Sequence, residues 1–174
     1  IIVISKCPEQ LADDVKNAIA ERIGPLPYQS LFFTTVSYCS FEDRAGKRTN
    51  TSIEADTTIF LLTGIANPKP LVQHLQKYTV NIIHHNYPDH HRFSLKNISK
   101  LADEFSACKA QKKVIITTEK DAQRLVGHEL LPVLNTLPVL LLPIGVEFVD
   151  NSGPQFDQLV TKYVREYSAN HLVH

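Results

Sequence analysis

The sequence has few cysteines and no excess of charge of either sign. Its three cysteines, Cys7, Cys39 and Cys108, are too few and too widely spaced for a disulfide framework or a CxxC metal site. A reducing compartment is therefore the plain inference. Lys and Arg together number 18, as do Asp and Glu, so the formal net charge is zero. That balance argues against a nucleic-acid-binding domain, and we expect no nucleic-acid partner.

The sequence also lacks the segments that mark membrane proteins and nucleotide-binding proteins. No apolar run approaches the length of a membrane span, and no signal peptide opens the chain. Neither GxGxxG nor GxxxxGK followed by Ser or Thr occurs, so the chain has no visible means of cradling a triphosphate. There is no methionine, and Ile1–Ile4 already reads as a buried strand. We therefore expect a piece of a longer protein whose N-terminal half is missing.

The length and composition are typical of one globular domain. With 174 residues, of which 43% are hydrophobic and 21% charged, we expect a single α/β domain over residues 1–174. Apolar runs predict strands at Ile1–Ile4, Leu31–Val36, Thr57–Thr63, Val80–Ile83 and Val114–Thr117, with one or two more between Pro138 and Val149. Helices are predicted from Pro8 to about Ile23, from Pro68 through Lys77, from Ser94 to about Lys109, briefly after Thr118, and from Phe156 to Tyr167. This alternation, with nearly all-apolar strands, predicts a three-layer, Rossmann-like or P-loop-type α/β fold. Its sheet is expected to be mostly parallel, with helices on both faces.

Four polar segments follow predicted strands, the position at which parallel α/β sheets bind ligands. They are Ser5–Pro8, Thr63–Pro68, Asp89–His91 and Thr117–Asp121. The third places one carboxylate and two imidazoles in consecutive positions. Imidazole exchanges protons near neutral pH, and a neighbouring Asp can fix its tautomer or act as a base. This segment is the strongest candidate for chemistry.

The segments around Asp89 and Gly64 also have structural interpretations. Asp89 can cap the following helix within a surface loop. Gly64 can adopt a positive φ in a turn, while Asn67 caps the helix that begins at Pro68. A structural role is the favoured interpretation for that second segment, which begins at Thr63.

The segment after the Val114–Thr117 strand reads as a helix start. Thr117 or Thr118 can cap a short helix whose dipole favours Glu119 and Asp121. Lys120 does not fit this pattern, because a cation in the first turn opposes the dipole. It indicates an anionic partner, either a phosphate or an internal carboxylate.

Two further candidates have weaker support. Lys6 is compatible with a nucleotide or phosphate neighbour, although a solvated lysine is the commoner explanation. His84 and His85 end a predicted strand, where alternation points only one of them inward. A metal site made of His84, His90 and Asp89 is an alternative, but adjacent histidines chelate one ion poorly and no HExxH spacing occurs. We therefore predict no metal ligands.

Four segments, taken in order, resemble the signatures of one family. They read IIVISKCP over residues 1–8, TGIANP over 63–68, PDHHRFS over 88–94 and TTEKDAQRL over 117–125. Four ordered motifs are far more specific than any single one. Over about residues 1 to 148 the chain closely resembles the C-terminal half of tetraacyldisaccharide 4′-kinase, the lipid A 4′-kinase of Gram-negative bacteria.

The resemblance implies an ATP-dependent, P-loop-class kinase that phosphorylates the 4′-hydroxyl of a tetraacylated glucosamine disaccharide 1-phosphate, the lipid A precursor. It implies action with Mg²⁺ at the cytoplasmic face of the inner membrane. In that family the phosphate loop, the Mg²⁺-binding carboxylates, the catalytic base aspartate and a membrane-associated helix all lie in the N-terminal half. ATP and Mg²⁺ would then be bound mainly outside this chain, and the fragment alone would be soluble and inactive.

The resemblance also assigns residues. It implies that His90 assists the missing base aspartate across the cleft, with Asp89 orienting His90 and His91 as a further catalytic candidate. It places Ser5 and Lys6 near the nucleotide. The remaining signature residues, without an assigned role, are Thr63, Gly64, Asn67, Thr118, Glu119, Lys120 and Asp121.

Two alternatives from other classes stay open. The letters DHH are also a signature of a family of metal-dependent phosphoesterases, but the separate Asp-rich motifs and the Gly-rich second domain of those enzymes are not evident here. The other alternative is a non-catalytic lid or interaction module.

Overall fold

The computed structural model describes residues 1–171. In this described part of the chain, seven strands and six α-helices follow one another as β1 (Ile2–Cys7), α1 (Asp13–Ile23), β2 (Leu31–Tyr38), β3 (Thr58–Thr63), α2 (Lys69–Leu75), β4 (Ile82–Asn86), α3 (Leu95–Ala107), β5 (Lys113–Thr118), α4 (Glu119–Ala122), α5 (Leu131–Leu134), β6 (Val139–Leu142), β7 (Ile144–Phe148) and α6 (Gly153–His171). A 3-10 turn at Val149–Asn151 precedes α6. They form two compact units, each with its own sheet. The first unit contains Ile1–Tyr38 and the chain from Ile144 onward, and the second is Cys39–Pro143. The single domain over residues 1–174 stays a prediction.

The first unit is built on a three-stranded sheet in the order β1-β2-β7. β1 pairs with β2 in parallel, and β7 pairs with β2 antiparallel. Its core contains three aromatic rings, since Phe32 meets both Phe148 and Phe156 edge to face at 5.9 and 5.4 Å between ring centroids. The helix predicted from Pro8 begins later, at Asp13, where two aspartates complement the positive end of the helix dipole.

The second unit is built on a fully parallel four-stranded sheet in the order β4-β3-β5-β6. The chain moves from β3 to β4 in one direction and from β4 to β5 in the other. Right-handed crossovers therefore place α2 and α3 on opposite faces of this sheet. The prediction of an α/β fold with a mostly parallel sheet is confirmed, although the strands are divided between two sheets rather than one.

The core of the second unit lies between the sheet and α3. Strands β3, β5 and β6, helices α3 and α5 and the adjoining loops contribute one cluster of buried apolar side chains, namely Phe60, Leu62, Phe93, Ile98, Leu101, Phe105, Ile115, Leu125, Leu130, Leu134 and Val139. On the opposite face of the sheet Ile59 and Leu61 are also wholly buried. Both faces are thus covered, which explains why the strands are nearly all apolar.

Strand β4 differs from its prediction. It was expected over Val80–Ile83, but Val80 is exposed and the strand runs over Ile82–Asn86. The reason is its register with β3, which pairs Leu61 with His84 and Leu62 with His85. Both histidines are therefore within the sheet rather than beyond its end. Among the described residues, no helix combines the length and the apolar character needed to cross a membrane.

Candidate active site

Three of the four predicted polar segments meet at one edge of the second unit. Because β4, β3 and β5 are parallel neighbours, their carboxyl ends lie side by side. The crossover after β3 leaves toward one face of the sheet, and the crossovers after β4 and β5 leave toward the other, so the loop after β3 lies where the crossovers change face. We call the residues that meet there, Gly64, Asp89, His90, Lys120 and Asp121, the strand-end cluster.

Gly64, which follows β3, is the centre of this cluster. Its N–H donates to Oδ2 of Asp121 at 3.1 Å, and its carbonyl oxygen accepts from the backbone N–H of His90 at 3.1 Å. A Cβ at this position would lie 3.2 Å from Cβ of His91, 3.3 Å from Oδ1 of Asp121 and 3.3 Å from the carbonyl oxygen of Pro88. The positive φ predicted for Gly64 was wrong, since the positive-φ glycines are Gly24 and Gly46. Because Gly64 has no side chain, the segments that contain Pro88, His91 and Asp121 can pack closely against it.

Asp121 is the buried anion of the cluster. Its side chain is wholly inaccessible, and its carboxylate accepts from Gly64 N–H, from Oγ1 of Thr118 at 2.8 Å and from Nη1 of Arg124 at 3.0 Å. The same Nη1 donates to the carbonyl oxygen of Gly64 at 2.9 Å. The predicted cap of α4 is confirmed, because Oγ1 of Thr118 accepts the N–H of Asp121 at 3.0 Å. Glu119, the first residue of α4, is exposed.

Asp89 is shared between a lysine and a histidine. Nζ of Lys120 lies 3.2 Å from Oδ1 of Asp89, and Nε2 of His90 lies 3.6 Å from Oδ2. The hydrogen bond from Lys120 is the largest cause that holds the pKa of Asp89 below its ordinary value, and the backbone N–H of His90 adds to it. The anionic partner predicted for Lys120 is therefore an internal carboxylate.

The side chain of His90 is the most exposed group of the cluster, at 73%. Its backbone has a φ of 59°, in the left-handed region, which costs a residue with a side chain on the order of 1–2 kcal/mol. Two acceptors hold its N–H, the carbonyl oxygen of Gly64 and Oδ1 of Asp89 at 2.9 Å. A strained backbone under an exposed imidazole is an arrangement typical of functional sites.

His91 has different surroundings from His90. Its ring stacks on Tyr87 with 4.5 Å between ring centroids, and its Nε2 lies 3.1 Å from Oδ1 of Asn97 in the first turn of α3. Asn97 also completes the capping box with Ser94, the predicted N-cap. These contacts orient His91 along the loop, and its catalytic role stays a prediction.

His84 and His85 belong to the sheet rather than to the strand-end cluster. Nε2 of His84 lies 2.8 Å from Oγ1 of the buried Thr63, and burial, helped by the neighbouring His85, lowers the pKa of His84. His85 is buried against the Phe60 ring, and burial is the main reason that its pKa is lowered. Its Nε2 lies 3.1 Å from Oε2 of Glu104 as an ion-pair contact without the alignment of a hydrogen bond.

Three predicted site residues, Ser5, Lys6 and Asn67, are not in the strand-end cluster. Ser5 and Lys6 are exposed in the first unit, where β1 is irregular between Ile4 and Cys7 and Lys6 has a φ of 62°. The helix predicted from Pro68 begins one residue later, at Lys69, with Pro68 as its N-cap. Oδ1 of Asn67 accepts from the N–H of Lys69 at 3.2 Å, which is the hydrogen bond expected of a capping side chain. Within residues 1–167, whose side chains the structure describes, no three His, Cys, Asp or Glu side chains are placed to hold a metal ion together.

Arg124 and Tyr87 also contact this site, although neither is among the predicted site residues. Arg124 follows Asp121 by three residues, the spacing at which opposite charges on a helical turn meet, and that signal could have identified it. Tyr87 directly precedes the PDHH segment, but nothing in the sequence shows that its ring lies against His91 rather than in solvent.

Comparison with known proteins gives one consistent family. The family described as tetraacyldisaccharide-1-P 4′-kinase matches residues 2–165. The tetraacyldisaccharide 4′-kinases of Bacteroides thetaiotaomicron and Bacteroides fragilis are 33% and 34% identical, each over 98% of this chain and 47% of the relative. A crystal structure of the "apo" form of LpxK from Aquifex aeolicus in complex with ATP is 14% identical, with a TM-score of 0.47 over 82% of this chain and 40% of that one. The chain thus spans about half the length of the curated relatives it matches.

Proposed function

The chain belongs to the tetraacyldisaccharide-1-P 4′-kinase family, and from this premise we propose that it is part of an ATP-dependent lipid kinase. The kinase phosphorylates the 4′-hydroxyl of tetraacyldisaccharide 1-phosphate in lipid A biosynthesis. The observation that carries the proposal is the family match over residues 2–165, supported by relatives of that name at 33–34% identity. The chain has no glycine-rich phosphate loop. The part of the kinase outside this chain therefore supplies most of the contacts to ATP and Mg²⁺.

In this proposal His90 is the residue of this chain that takes part in the phosphoryl-transfer chemistry. Phosphoryl transfer depends on positioning and charge neutralisation, together with a base that accepts the proton of the acceptor hydroxyl. The exposed imidazole of His90 pairs with a base aspartate outside this chain and tunes its basicity. Asp89 orients His90 from 3.6 Å, and Lys120 keeps Asp89 ionised. His91 supports the loop through its stacking on Tyr87.

The first unit contributes to the nucleotide side of the reaction. Ser5 and Lys6 are exposed at the carboxyl end of β1, and Lys6 keeps a left-handed backbone at the irregularity of that strand. A strained, exposed lysine at a strand end is suited to an anionic ligand, and in this proposal that ligand is the phosphate chain of ATP. The kinase works on the cytoplasmic face of the inner membrane of a Gram-negative cell. Its membrane contact comes from a region outside this chain.

The two alternatives receive less support from the contacts. A metal-dependent phosphoesterase needs Asp89 and the histidines to converge on metal ions, whereas Asp89 is paired with Lys120 and His84 with Thr63. A lid or interaction module does not explain why an exposed imidazole is held on a strained backbone next to a fixed carboxylate.

The experiment is a transfer assay with the full-length protein that carries this chain. With γ-labelled ATP, Mg²⁺ and tetraacyldisaccharide 1-phosphate, we expect label at the 4′-position of the disaccharide. The chain of residues 1–174 alone is the control, and we expect neither transfer nor tight ATP binding from it. Metal-dependent release of phosphate from a phosphodiester, with no transfer from ATP, would support the phosphoesterase instead. The absence of both activities would support the non-catalytic module.

A further inference from the structure

We propose that Asp121 is a positioning residue that acts through Gly64 to hold His90 in its catalytic orientation. The inference rests on the proposed function of His90 and gives a role to the TTEKDAQRL segment, which that function leaves unexplained. It joins three of the signature segments through a single chain of hydrogen bonds.

The first step concerns the backbone of His90. A residue with a side chain adopts a left-handed φ only where its surroundings fix it, and the ring of His90, exposed at 73%, packs too little to do so. The fixed contacts are at its N–H, which donates to Gly64 and to Asp89. Asp89 is itself partly exposed, so the carbonyl oxygen of Gly64 is the buried anchor.

The second step concerns Gly64. Its N–H is held by the carboxylate of Asp121, and its carbonyl oxygen accepts from Arg124 as well as from His90. Nη1 of Arg124 also donates to Asp121. Gly64 is therefore fixed at its N–H by Asp121 and at its carbonyl oxygen by Arg124. A shift of Asp121 therefore moves Gly64, and a shift of Gly64 moves His90.

Burying the carboxylate of Asp121 has an energetic cost. Its carboxylate is wholly buried, and an ionised group there is costly unless it is paired and fully hydrogen-bonded. Thr118, Arg124 and Gly64 supply those bonds. The stability of the fold alone does not explain an ion pair at this place, because well-packed apolar side chains of similar volume often stabilise a buried site equally well. What the ion pair adds is a fixed direction for the carbonyl oxygen of Gly64.

The test is a double-mutant cycle in the full-length kinase, with Asp121→Asn and His90→Ala alone and together. Asparagine keeps the size of the side chain but turns one acceptor into a donor, so at least one bond is lost. We expect Asp121→Asn alone to lower kcat on the order of 10- to 100-fold with a smaller change in KM. In the His90→Ala background it should lower kcat no further, because its target is gone. An equal loss in both backgrounds, or no loss in either, would overturn the proposal.

The control and the second variant separate positioning from folding. Leu134→Ala, which truncates a buried side chain of the core cluster, should lower the melting temperature and leave kcat unchanged. Where Asp121→Asn does not fold, Thr118→Val takes its place in the cycle, since it keeps the Asp121 carboxylate and removes the hydroxyl that donates to that carboxylate and caps the N–H of Asp121. The same non-additivity is expected, and additive losses overturn the proposal.

A measurement independent of activity uses the same protein labelled with ¹⁵N-histidine. The His90 amide resonance, assigned by its loss in His90→Ala, should shift and exchange faster in Asp121→Asn and Thr118→Val, but not in Leu134→Ala. An unmoved His90 amide in both Asp121→Asn and Thr118→Val overturns the positioning role. If the wild-type protein transfers no phosphate, the proposed function fails, while this measurement still decides whether Asp121 positions His90.

Discussion

Replacing Gly64 by alanine tests how tightly the loops of the strand-end cluster are packed. The added Cβ would lie 3.2–3.3 Å from three atoms, those of His91, Asp121 and Pro88. The neighbours must move by a few tenths of an ångström, and none is the free end of a flexible side chain. They are a Cβ atom, a backbone oxygen and a wholly buried carboxylate.

The magnitude follows from two opposing effects. Overpacking a filled site costs about 1–3 kcal/mol. Since Gly64 does not have a positive φ, alanine also restricts the unfolded chain, which stabilises the fold by about 0.4–1 kcal/mol. We therefore expect the free energy of unfolding of Gly64→Ala to fall by about 1.3 kcal/mol, the difference at the middle of the two ranges, and by no more than about 2.6 kcal/mol. Urea denaturation followed by circular dichroism measures this change.

Gly127→Ala is the matched control. Its Cβ would lie 3.1–3.2 Å from three atoms, all at the end of the Glu129 side chain, which can rotate away. Gly127 also has no positive φ, so we expect this variant to be neutral or slightly stabilised. If Gly64→Ala is as stable as Gly127→Ala, the reasoning about close packing at Gly64 is refuted.

Two further predictions concern protonation. In Lys120→Ala the pKa of Asp89 should rise toward its ordinary value, because Lys120 is the largest cause of its lowering; carboxyl ¹³C NMR titration measures this, and an unmoved midpoint would contradict it. Burial lowers the pKa of His85 below 6.5, so the unfolded chain takes up its proton first, and the free energy of unfolding should fall as the pH drops below that value. His85→Leu should lose less stability than the wild type between about pH 7.5 and pH 5 in urea denaturation, and equal losses would rule this out.

The sequence predicted that polar segments meet at one edge of the sheet because its strongest signals are local. A polar segment after an apolar strand is visible in the chain, and the parallel order of strands brings such segments to one edge. Thr118 as the N-cap of α4 and Ser94 as the N-cap of α3 were predictable for the same reason, because a capping hydrogen bond is formed within one helical turn.

What the sequence could not predict depends on contacts between distant segments. The extension of β4 to Asn86 follows from its register with β3, which also sets His84 opposite Leu61 and His85 opposite Leu62. Gly64 was expected to serve a turn, but its role depends on Asp121, 57 residues further along the chain. The division of the strands between two sheets depends likewise on long-range pairing, with β2 joined to β7.

The most direct test of the account is the turnover of His90→Ala in the full-length kinase. We expect kcat to fall by about 100- to 10,000-fold, the usual contribution of a group that assists proton transfer. The melting temperature should hardly change, because the His90 side chain is 73% exposed. His128→Ala, which alters another exposed histidine, should retain full turnover. Unchanged turnover in His90→Ala would contradict the central claim that the strand-end cluster presents His90 for phosphoryl transfer.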